Sequence, residues 1–346
     1  MIKAGIIGST GYAGAEIARL LLGHKDVEIK WLVSRSFTGQ NYEDIYRNFF
    51  EIIEKECTDI SLADMADEVD IIFTATPQGY LQGVLTEDVL DKCRIIDMSA
   101  DYRIKDVSVY EKWYGMEHHS PKLTGEAVYG LTEINRDKIR DTRLLANPGC
   151  FTTCSILTAY PLMKEHMIEK DSLIINALSG VSGAGRGAKV ANLYCEVNES
   201  AKAYGVTTHR HTPEIEEQLG YAYGEEVTLQ FTPHLVPMHR GILATETARL
   251  KDRYSYEDVK SVYDKYYGDE RFIRVLKKDV CPETRFVEGS NYVDVNFRID
   301  DRTGNIIMMG ALDNLEKGAA SQAVQNFNVM FGFAEDEGLS AIPMVP

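Results

Sequence analysis

The N-terminal stretch constrains the fold most, because an apolar run, a glycine-rich turn and a helical pattern follow one another directly. Residues 2–7 have the pattern of a buried strand, and residues 15–22 carry apolar residues at helical spacing. Glycines between such elements let the backbone approach a pyrophosphate at the positive end of the helix. The spacing GxxGxxG is a variant of the commoner GxGxxG, so a glycine turn without a ligand is the alternative. Because the context matches, we predict a dinucleotide site at Gly8, Ser9, Thr10, Gly11, Tyr12 and Gly14.

The end of the second predicted strand, residues 27–33, indicates which dinucleotide binds. A carboxylate that accepts a ribose 2′-hydroxyl commonly follows this strand in NAD-binding domains. Here Ser34, Arg35 and Ser36 follow instead, and a guanidinium with two hydroxyls suits a 2′-phosphate. We therefore predict NADP (NADPH) rather than NAD, the alternative being that Arg35 is an ordinary surface residue.

Further apolar runs predict a doubly wound α/β domain of the Rossmann type. Residues 69–75 and 94–98 are short and almost continuously apolar, as parallel strands covered on both faces are. Ligands in this architecture bind beyond the carboxyl ends of the strands. Thr76 and Pro77 follow one of these strands and Arg103 follows another, so we place them at the ligand.

Beyond residue 150 the pattern changes to that of a mixed-sheet α+β domain. Residues 227–231 and 292–299 alternate apolar and polar side chains, as antiparallel strands with one wet face do. Residues 242–250 and 306–312 predict further strands, and residues 255–267 predict a helix. We predict a nucleotide-binding domain of residues 1–149 plus a C-terminal helix within about 315–346. Residues 150–314 are the predicted catalytic and oligomerisation domain.

Cys150 is the first candidate for chemistry. An apolar run ends at Ala146, Asn147-Pro148-Gly149 breaks it, and an apolar helical pattern resumes at Phe151. A cysteine at a helix N-terminus is favoured as a thiolate, and a thiolate is a covalent nucleophile. The alternatives are a buried structural cysteine, or half of a metal site with Cys154, for which no second half is evident. We predict no metal.

A polar cluster, Thr208-His-Arg-His-Thr-Pro-Glu214, supplies candidate proton-transfer groups. Either His209 or His211 suits general acid/base work, and Glu214 could orient an imidazole. The alternative is a helix cap flanked by solvated histidines. Upstream, a glycine-rich loop with Ser182, Gly183 and Arg186 suits contact with a cofactor or a phosphate. We expect the separate pair His118-His119 to lie on the surface.

The charge balance limits the class of partner. Lys and Arg number 37 against 53 Asp and Glu, and a net charge of −16 argues against nucleic-acid and membrane-surface binding. The six cysteines form no CxxC pair or dense framework, and the N-terminus has neither a signal peptide nor a membrane-spanning pattern. These features predict a cytoplasmic globular protein with a small-molecule ligand.

Seven motifs in order along the chain resemble the N-acetyl-γ-glutamyl-phosphate reductase family of arginine biosynthesis. The resemblance spans nearly the whole sequence. The motifs are residues 8–14, Ser99-Ala-Asp-Tyr-Arg103, Asn147-Pro-Gly-Cys150, Ser179-Gly-Val-Ser-Gly-Ala-Gly-Arg186, His209-Arg-His-Thr-Pro-Glu214, residues 231–241 and Ala311-Leu-Asp-Asn314.

The resemblance implies a specific reaction and specific roles. NADPH would reduce an acyl phosphate to a semialdehyde through a thioester on Cys150. It favours His209 over His211 as the acid/base, with Glu214 supporting it. Arg103, Arg186 and His211 are then assigned to the anionic substrate, and Asn314 to the neighbourhood of the nicotinamide. A homodimer or homotetramer is implied as well.

Other readings of the same residues stay open. The related reductase of a carrier-linked aminoadipyl phosphate in lysine biosynthesis differs only in how the pocket treats the amino substituent. Aspartate-semialdehyde dehydrogenase and glyceraldehyde-phosphate dehydrogenase share the chemistry, but their cysteine motifs lack Asn-Pro-Gly-Cys. A regulatory nucleotide-binding protein with an idle catalytic cluster is the non-enzymatic alternative.

Overall fold

The chain divides into two compact units. The structure is a computed structural model and describes residues 1–344. The first unit comprises residues 1–148 and 319–340, and the second comprises residues 149–318 and 341–344.

The first unit is built on a parallel sheet of six strands within the described residues. Its strands are β1 (Ile2–Ile7), β2 (Val27–Val33), β3 (Ile71–Thr74), β4 (Arg94–Asp97), β5 (Val128–Tyr129) and β6 (Leu144–Ala146). They lie in the order β2-β1-β3-β4-β6-β5, and each neighbouring pair is parallel. The chain moves from β1 to one side and later returns to the other side at β3. Ligands bind at such a switch point, beyond the carboxyl ends of the strands.

Helices connect these strands. They are α1 (Tyr12–Leu22), α2 (Tyr42–Ile45), α3 (Leu62–Ala66), α4 (Leu81–Val84), α5 (Glu87–Leu90), α6 (Val107–Tyr114), α7 (Pro121–Glu126) and α8 (Thr132–Asp141). Short 3₁₀ turns occur at Arg35–Phe37 and Arg47–Phe49. The doubly wound α/β prediction is confirmed.

The second unit is built on a mixed seven-stranded sheet within the described chain. Its elements are α9 (Cys150–Lys164), β7 (Ile174–Ser179), α10 (Tyr194–Val197), β8 (Lys202–Ala203), α11 (Thr212–Tyr223), β9 (Gln230–Leu235), β10 (Ile242–Arg249), α12 (Tyr256–Tyr267), β11 (Ile273–Val275), β12 (Val293–Asp300) and β13 (Asn305–Leu312). The strand order is β11-β12-β13-β10-β7-β9-β8. Short 3₁₀ turns occur at Val181–Ala184, Val190–Asn192 and Thr284–Phe286. The chain then returns to the first unit, where α13 (Ala320–Phe331) packs on α1 and α8.

Helix α9 lies on one face of this sheet, against β10 and β13. Its sequence is rich in threonine and has Pro161 inside, so local propensity for a helix is low. Pro161 has no N–H for the carbonyl of Leu157, and the hydroxyl of Tyr267 donates to that carbonyl instead. Tyr263 likewise donates to the carbonyl of Thr158. Burial and these two hydrogen bonds therefore stabilise the helical conformation of a segment whose own helix propensity is low.

Two sequence expectations differ from the structure. The strand predicted at 227–231 begins at Gln230 and continues to Leu235, and it pairs in parallel with β7. Pro233 concealed this extension, because proline donates no ladder hydrogen bond and normally argues against a strand. The prediction that His118 lies on the surface was wrong. This residue is 4% exposed, and its Nε2 lies 2.6 Å from the carbonyl oxygen of Asp101.

Candidate active site

The turn between β6 and α9 presents Cys150. β6 ends at Ala146, and Gly149 is the extended N-cap (φ −71°, ψ 154°) of the helix that begins at Cys150. The first N–H groups of a helix have no partner within the helix, and the helix dipole adds positive potential there. Cys150 is partly exposed, whereas Cys154 is buried one turn further on. The thiol of Cys150 therefore lies where a thiolate is favoured and where a small molecule can reach it.

Glu214 supports this turn from the first turn of α11. Its side chain is 1% exposed, and Oε1 accepts hydrogen bonds from the N–H of Gly149 at 3.0 Å and from Oγ1 of Thr152 at 2.8 Å. A carboxylate is well placed at the positive end of a helix. These contacts fix the backbone immediately before Cys150. The orientation of an imidazole by Glu214 stays a prediction.

His209 lies in a cage of aromatic rings. The ring centroids around it are those of His211 at 4.8 Å, Phe231 at 5.3 Å, Tyr204 at 5.4 Å and Phe151 at 5.7 Å. Burial among these rings and, to a smaller extent, the charge of Arg210 together lower the pKa of His209 to about 4. The imidazole is therefore neutral near pH 7.

The tautomer of His209 follows from its backbone contact. The N–H of His211 donates to Nδ1 of His209 at 3.2 Å, so we assign the proton of the neutral ring to Nε2. In this state Nε2 is a hydrogen-bond donor. An oxygen that gains negative charge during a reaction is the kind of group that such a donor stabilises.

Tyr204 is a residue of this site that the sequence analysis missed. It follows the two-residue strand β8, and its N–H donates to the carbonyl of Pro233. Burial raises the pKa of the Tyr204 phenol, and the charge of the nearby Cys150 raises it further. Tyr204 therefore lies close to Cys150 and also against His209. No sequence motif marks it, because a two-residue strand gives no periodic signal.

The glycine-rich loop after β7 is pinned to the segment that follows β13. Nδ2 of Asn314 donates to Oγ of Ser182 at 3.0 Å, and its Oδ1 accepts from the N–H of Gly241 at 2.7 Å. A Cβ on Gly183 would lie 3.0 Å from the hydroxyl of Ser179. The predicted site residues Ser182, Gly183 and Asn314 are therefore brought together.

The segment after Asn314 reaches the cysteine itself. A Cβ on Gly318 would lie 2.8 Å from Cβ of Cys150 and 2.7 Å from the carbonyl oxygen of Asn314. Any larger residue at position 318 would displace the cysteine. This close approach connects Asn314 structurally with Cys150.

The cations of the second unit have different surroundings. Arg186 is exposed on the loop after β7. Arg240, which the sequence analysis did not assign, places one guanidinium nitrogen 3.5 Å from Asp313 and 3.7 Å from Glu316. His211 is partly buried as the N-cap of α11, with its ring 6.0 Å from that of Phe151.

The first unit contains the glycine turn after β1. Gly8 has φ +77°, and a Cβ there would lie 2.2 Å from the carbonyl oxygen of Ala75. A Cβ on Gly14 would lie 2.3 Å from the carbonyl oxygen of Gly8. Gly11 is the N-cap of α1, which begins at Tyr12. Only glycine fits at positions 8 and 14, and the result is a narrow cradle at the start of a helix.

Side chains of the cradle tie it to the end of β2. Ser9 and Thr10 are buried; Oγ of Ser9 donates to the carbonyl of Val33, and Oγ1 of Thr10 lies 2.7 Å from Oγ of Ser34. The hydroxyl of Tyr42 donates to the carbonyl of Ser9. The cradle is thus rigid, and its backbone N–H groups are the part suited to a phosphate.

Arg35 and Ser36 are exposed beyond the end of β2. Nε of Arg35 lies 3.5 Å from the carboxylate of Asp59, and its guanidinium lies 5.4 Å from the ring centre of Tyr80. The sequence analysis missed both neighbours, since neither is close to Arg35 in sequence. Asp59 adds a negative charge where we predict a 2′-phosphate.

The loop after β3 carries Thr76 and Pro77. Oγ1 of Thr76 is buried, and it has no hydrogen-bond partner among residues 1–344. A buried hydroxyl without a partner usually marks a place for a water or ligand. This hydroxyl and the cradle at Gly8 and Gly14 are both features that suit a dinucleotide bound to the first unit.

Arg103 is 7% exposed, after β4. Its Nε donates to the carbonyl of Asn147 at 2.7 Å and one terminal nitrogen donates to the carbonyl of Met98 at 2.7 Å. Arg103 therefore anchors the residue from which the cysteine turn starts. Binding of the substrate by Arg103 stays a prediction.

Family models match both units. Residues 3–142 match the semialdehyde dehydrogenase NAD-binding domain, and residues 150–314 match the semialdehyde dehydrogenase dimerisation domain. A protein of Lachnospira eligens named N-acetyl-gamma-glutamyl-phosphate reductase is 64% identical over the full length of both chains. The chain belongs to the N-acetyl-γ-glutamyl-phosphate reductase family. A reductase of the same name from Campylobacter jejuni is 53% identical over 98% of both chains.

Solved structures of aspartate semialdehyde dehydrogenases share the fold of this reductase family member. The enzyme II from Vibrio cholerae, complexed with ASA, has a TM-score of 0.72 at 16% identity, covering 96% of this chain and 98% of that one. The enzyme from Candida albicans, with NADP, has a TM-score of 0.69 at 17% identity, with the same coverage. At this identity the likeness shows the fold alone.

Two further features of the described residues concern metal ions and membranes. No group of three or more His, Cys, Asp or Glu side chains suited to a metal ion occurs within residues 1–344. Over the same part of the chain, the helices are too short or too polar to cross a membrane.

Proposed function

We propose that this chain catalyses the NADPH-dependent reduction of N-acetyl-γ-glutamyl phosphate to N-acetylglutamate semialdehyde and phosphate, the third step of arginine biosynthesis. The observation that carries the proposal is the full-length identity of 64% to a reductase of that name. Cys150 at the start of α9, and His209 in its aromatic cage, support the same chemistry from the geometry.

Cys150 begins the reaction as the nucleophile. Its sulfur forms a bond with the acyl carbon, the bond from that carbon to the phosphate oxygen breaks, and phosphate leaves with the electron pair. The product on the enzyme is a thioester. The start of α9 favours the thiolate required for this step, and Glu214 holds the backbone of the turn in place.

His209 serves the second half of the reaction. When bound, the cofactor would supply a hydride to the thioester carbon, and the carbonyl oxygen would become an oxyanion. The Nε2–H assigned to His209 donates a hydrogen bond to this oxygen and stabilises its negative charge. As the acid/base, His209 shares this proton with the oxygen and takes it back as the carbonyl re-forms, the bond from carbon to sulfur breaks, and the aldehyde and the Cys150 thiolate are released.

Cations must offset the charge of the substrate, because the protein carries a net charge of −16. We assign this task to Arg186 and His211 in the second unit and to Arg103 in the first. The exposed guanidinium of Arg186 suits direct contact with an anion. Arg103 also holds the carbonyl of Asn147, so we assign it a part in positioning the cysteine turn.

We assign NADPH rather than NADH as the cofactor. Gly8, Gly14 and Thr76 support a dinucleotide of either kind in the first unit. Arg35 supports the 2′-phosphate, while Asp59 beside it opposes this charge. Both side chains are exposed, so screening weakens their pairing and leaves the guanidinium available to a phosphate.

We further propose that two copies associate through the open face of the mixed sheet. Helix α9 covers one face of this sheet. On the other face, Ile174 is 39% exposed, Thr245 and Asn176 are exposed, and Leu243 is partly exposed. A match of residues 150–314 to a dimerisation domain supports a second copy as the partner. We place the homodimer or homotetramer in the cytoplasm, since no disulfide links the described cysteines.

The reverse reaction tests the proposal. Purified enzyme is given N-acetylglutamate semialdehyde, phosphate and NADP⁺, and formation of NADPH is followed by absorbance. Aspartate semialdehyde and a carrier-linked aminoadipate semialdehyde are the competing substrates. If kcat/KM for N-acetylglutamate semialdehyde is equal to or lower than that for a competing aldehyde, the chain is the reductase that acts on that competitor. If none of the three aldehydes is oxidised, a regulatory protein is favoured.

A further inference from the structure

A buried carboxylate, Asp101, holds the loop that follows β3. Asp101 is 0% exposed. Its Oδ1 accepts hydrogen bonds from the N–H of Gly79 at 2.8 Å and from the hydroxyl of Tyr110 at 2.9 Å, and its Oδ2 accepts from the N–H of Gln82 at 3.2 Å. One carboxylate thus binds the loop backbone at two points, on either side of Tyr80.

The loop itself carries groups that face the predicted ligand. It begins at Ala75, whose carbonyl oxygen closes the glycine cradle at Gly8. The buried Oγ1 of Thr76 lacks a partner among the described residues, and the ring of Tyr80 lies under the guanidinium of Arg35. Gly79 has φ +88°, so the backbone turns sharply at the point that Asp101 holds.

Asp101 is in turn fixed by the end of β4. Its N–H donates to Oγ of Ser99, and its carbonyl lies 2.6 Å from Nε2 of His118. Ser99 donates to the carboxylate of Asp97, which also accepts from Oγ1 of Thr74 at the end of β3. Two carboxylates therefore connect the ends of β3 and β4 with the loop, and the side chains that form the connection, those of Thr74, Asp97, Ser99 and Asp101, are all buried.

From this geometry we infer that Asp101 is a positioning residue for the cofactor, acting through the loop of residues 75–80. This inference rests on the proposed placement of Thr76 and Pro77 at the dinucleotide. The carboxylate does not contact the cofactor in this scheme. It fixes two backbone N–H groups, and thereby the position of the carbonyl of Ala75 and the hydroxyl of Thr76.

The chemistry of the site explains why an amide cannot replace the carboxylate. Three donors point at the two oxygens of Asp101. An asparagine has one acceptor oxygen, and its NH₂ group would face a backbone N–H, so one loop contact is lost. Loss of a hydrogen bond to a charged group corresponds to about a tenfold or larger change in an equilibrium.

The experiment compares Asp101→Asn with Asp106→Asn. Asp106 is a matched control, since its carboxylate also accepts from two backbone N–H groups, at the exposed start of α6. The Kd for NADPH is measured by quenching of protein fluorescence, and hydrogen exchange is measured over residues 75–82. We expect Asp101→Asn to raise the Kd about tenfold or more, to speed exchange in residues 75–82, and to leave the KM for phosphate within about twofold.

Different failures are distinguishable. Fluorescence binding needs no turnover, so a wild-type protein that binds NADPH but reduces no acyl phosphate would refute the proposed reaction alone. Faster loop exchange with an unchanged Kd would overturn the inference, since the loop would then not serve the cofactor. Equal rises in the Kd for NADPH and in the KM for phosphate would indicate general damage and overturn it too.

A second variant keeps the test usable if Asp101→Asn does not fold. Tyr110→Phe removes one of the three hydrogen bonds that hold the carboxylate in position, so the bonds from Gly79 and Gln82 remain but their acceptor is less firmly fixed. We expect a smaller rise of the NADPH Kd, about twofold to tenfold, again without a change in the KM for phosphate. An NADPH Kd equal to that of the wild type in this variant would contradict the inference.

Discussion

The pKa of His209 is the property of the site most open to direct measurement. Its drop from the ordinary value of 6.5 to about 4 is about 2.5 units, which at 1.36 kcal/mol per unit is about 3 kcal/mol in favour of the neutral ring. The main cause is burial among aromatic rings, and the charge of Arg210 adds to it. The perturbation is therefore to open the cage with Tyr204→Ala and, separately, to remove the charge with Arg210→Gln.

We expect both variants to raise the pKa of His209 towards 6.5, and Tyr204→Ala to raise it more. The order follows from the causes, since Tyr204 forms part of the enclosing wall at 5.4 Å and burial is the larger effect. A neutral His209 also predicts that this residue adds no protonation step to the pH dependence of kcat/KM for the aldehyde between about pH 8 and about pH 5.5. A base with a pKa of 6.5 would instead be about 90% protonated at pH 5.5.

The assay is an NMR titration of protein labelled at histidine, with the His209 signal assigned by its absence in His209→Asn. The useful range ends near pH 5.5, because the sequence pI of about 5.0 limits solubility below it. Over this range the wild-type His209 signal is expected to remain that of a neutral ring. A titration of this signal centred near 6.5, or a larger shift in Arg210→Gln than in Tyr204→Ala, would refute the reasoning.

Three further predictions concern the nucleophile, the cofactor and the buried core. Cys150→Ser should lose nearly all turnover, whereas the control Cys195→Ser, which changes an exposed thiol, should retain it. A turnover rate of Cys150→Ser close to that of the wild type would exclude the thioester route. Arg35→Asp should raise the KM for NADPH about tenfold to a hundredfold and leave that for NADH nearly unchanged; equal effects on both would refute the 2′-phosphate assignment. Glu246→Gln should gain stability relative to the wild type as the pH rises above about 4.5, as measured by urea unfolding. The free energy of unfolding of the variant should rise over that of the wild type by up to about 1.4 kcal/mol per pH unit until the folded-state pKa is reached. A difference in unfolding free energy that does not change with pH would contradict this prediction.

The sign of the Glu246 prediction follows from its surroundings. Glu246 is 0% exposed, and neither carboxylate oxygen has a hydrogen-bond partner within residues 1–344. Burial raises the pKa of this carboxyl well above its usual value, and the nearby hydroxyl of Ser155, which does not meet hydrogen-bond geometry with either oxygen, offsets only part of the rise. Since the folded state holds the proton more tightly, its stability is fully present below the unfolded pKa and is lost as the pH rises towards the folded one.

The sequence predicted the parts of the structure that depend on local periodicity. The strands at 2–7 and 27–33 have the predicted bounds, and the helix predicted at 255–267 runs from Tyr256 to Tyr267, after the N-cap Ser255. Each contains either a long apolar run or a regular spacing, which side-chain burial alone enforces. β9 was misplaced because a proline lies within it.

The surroundings of the site could not be predicted in the same way. Tyr204, Tyr80 and Asp59 reach the candidate sites from irregular or very short segments, where neither spacing nor capping gives a signal. Their placement depends on contacts distant in sequence, such as that of the Tyr204 N–H with the carbonyl of Pro233. Sequence periodicity places residues on elements, and it does not say which loops converge.

The position of Glu214 shows how the structure changes the interpretation of a motif. Its spacing from His209 suggests a carboxylate that orients an imidazole. In the structure Glu214 accepts hydrogen bonds from Gly149 and Thr152, so these contacts are with the start of the helix that begins at Cys150. A negative charge there interacts favourably with the helix dipole, and it also competes with the thiolate for the same positive potential.

Removal of the Glu214 carboxylate is therefore expected to have two opposing effects on Cys150: a less firmly held turn, and a thiolate with less opposing negative charge beside it. Because a displaced nucleophile costs more than a modest gain in ionisation, the geometric effect is expected to dominate. We therefore expect Glu214 to serve the site by fixing the position of the sulfur, at some expense to the ionisation of the thiol.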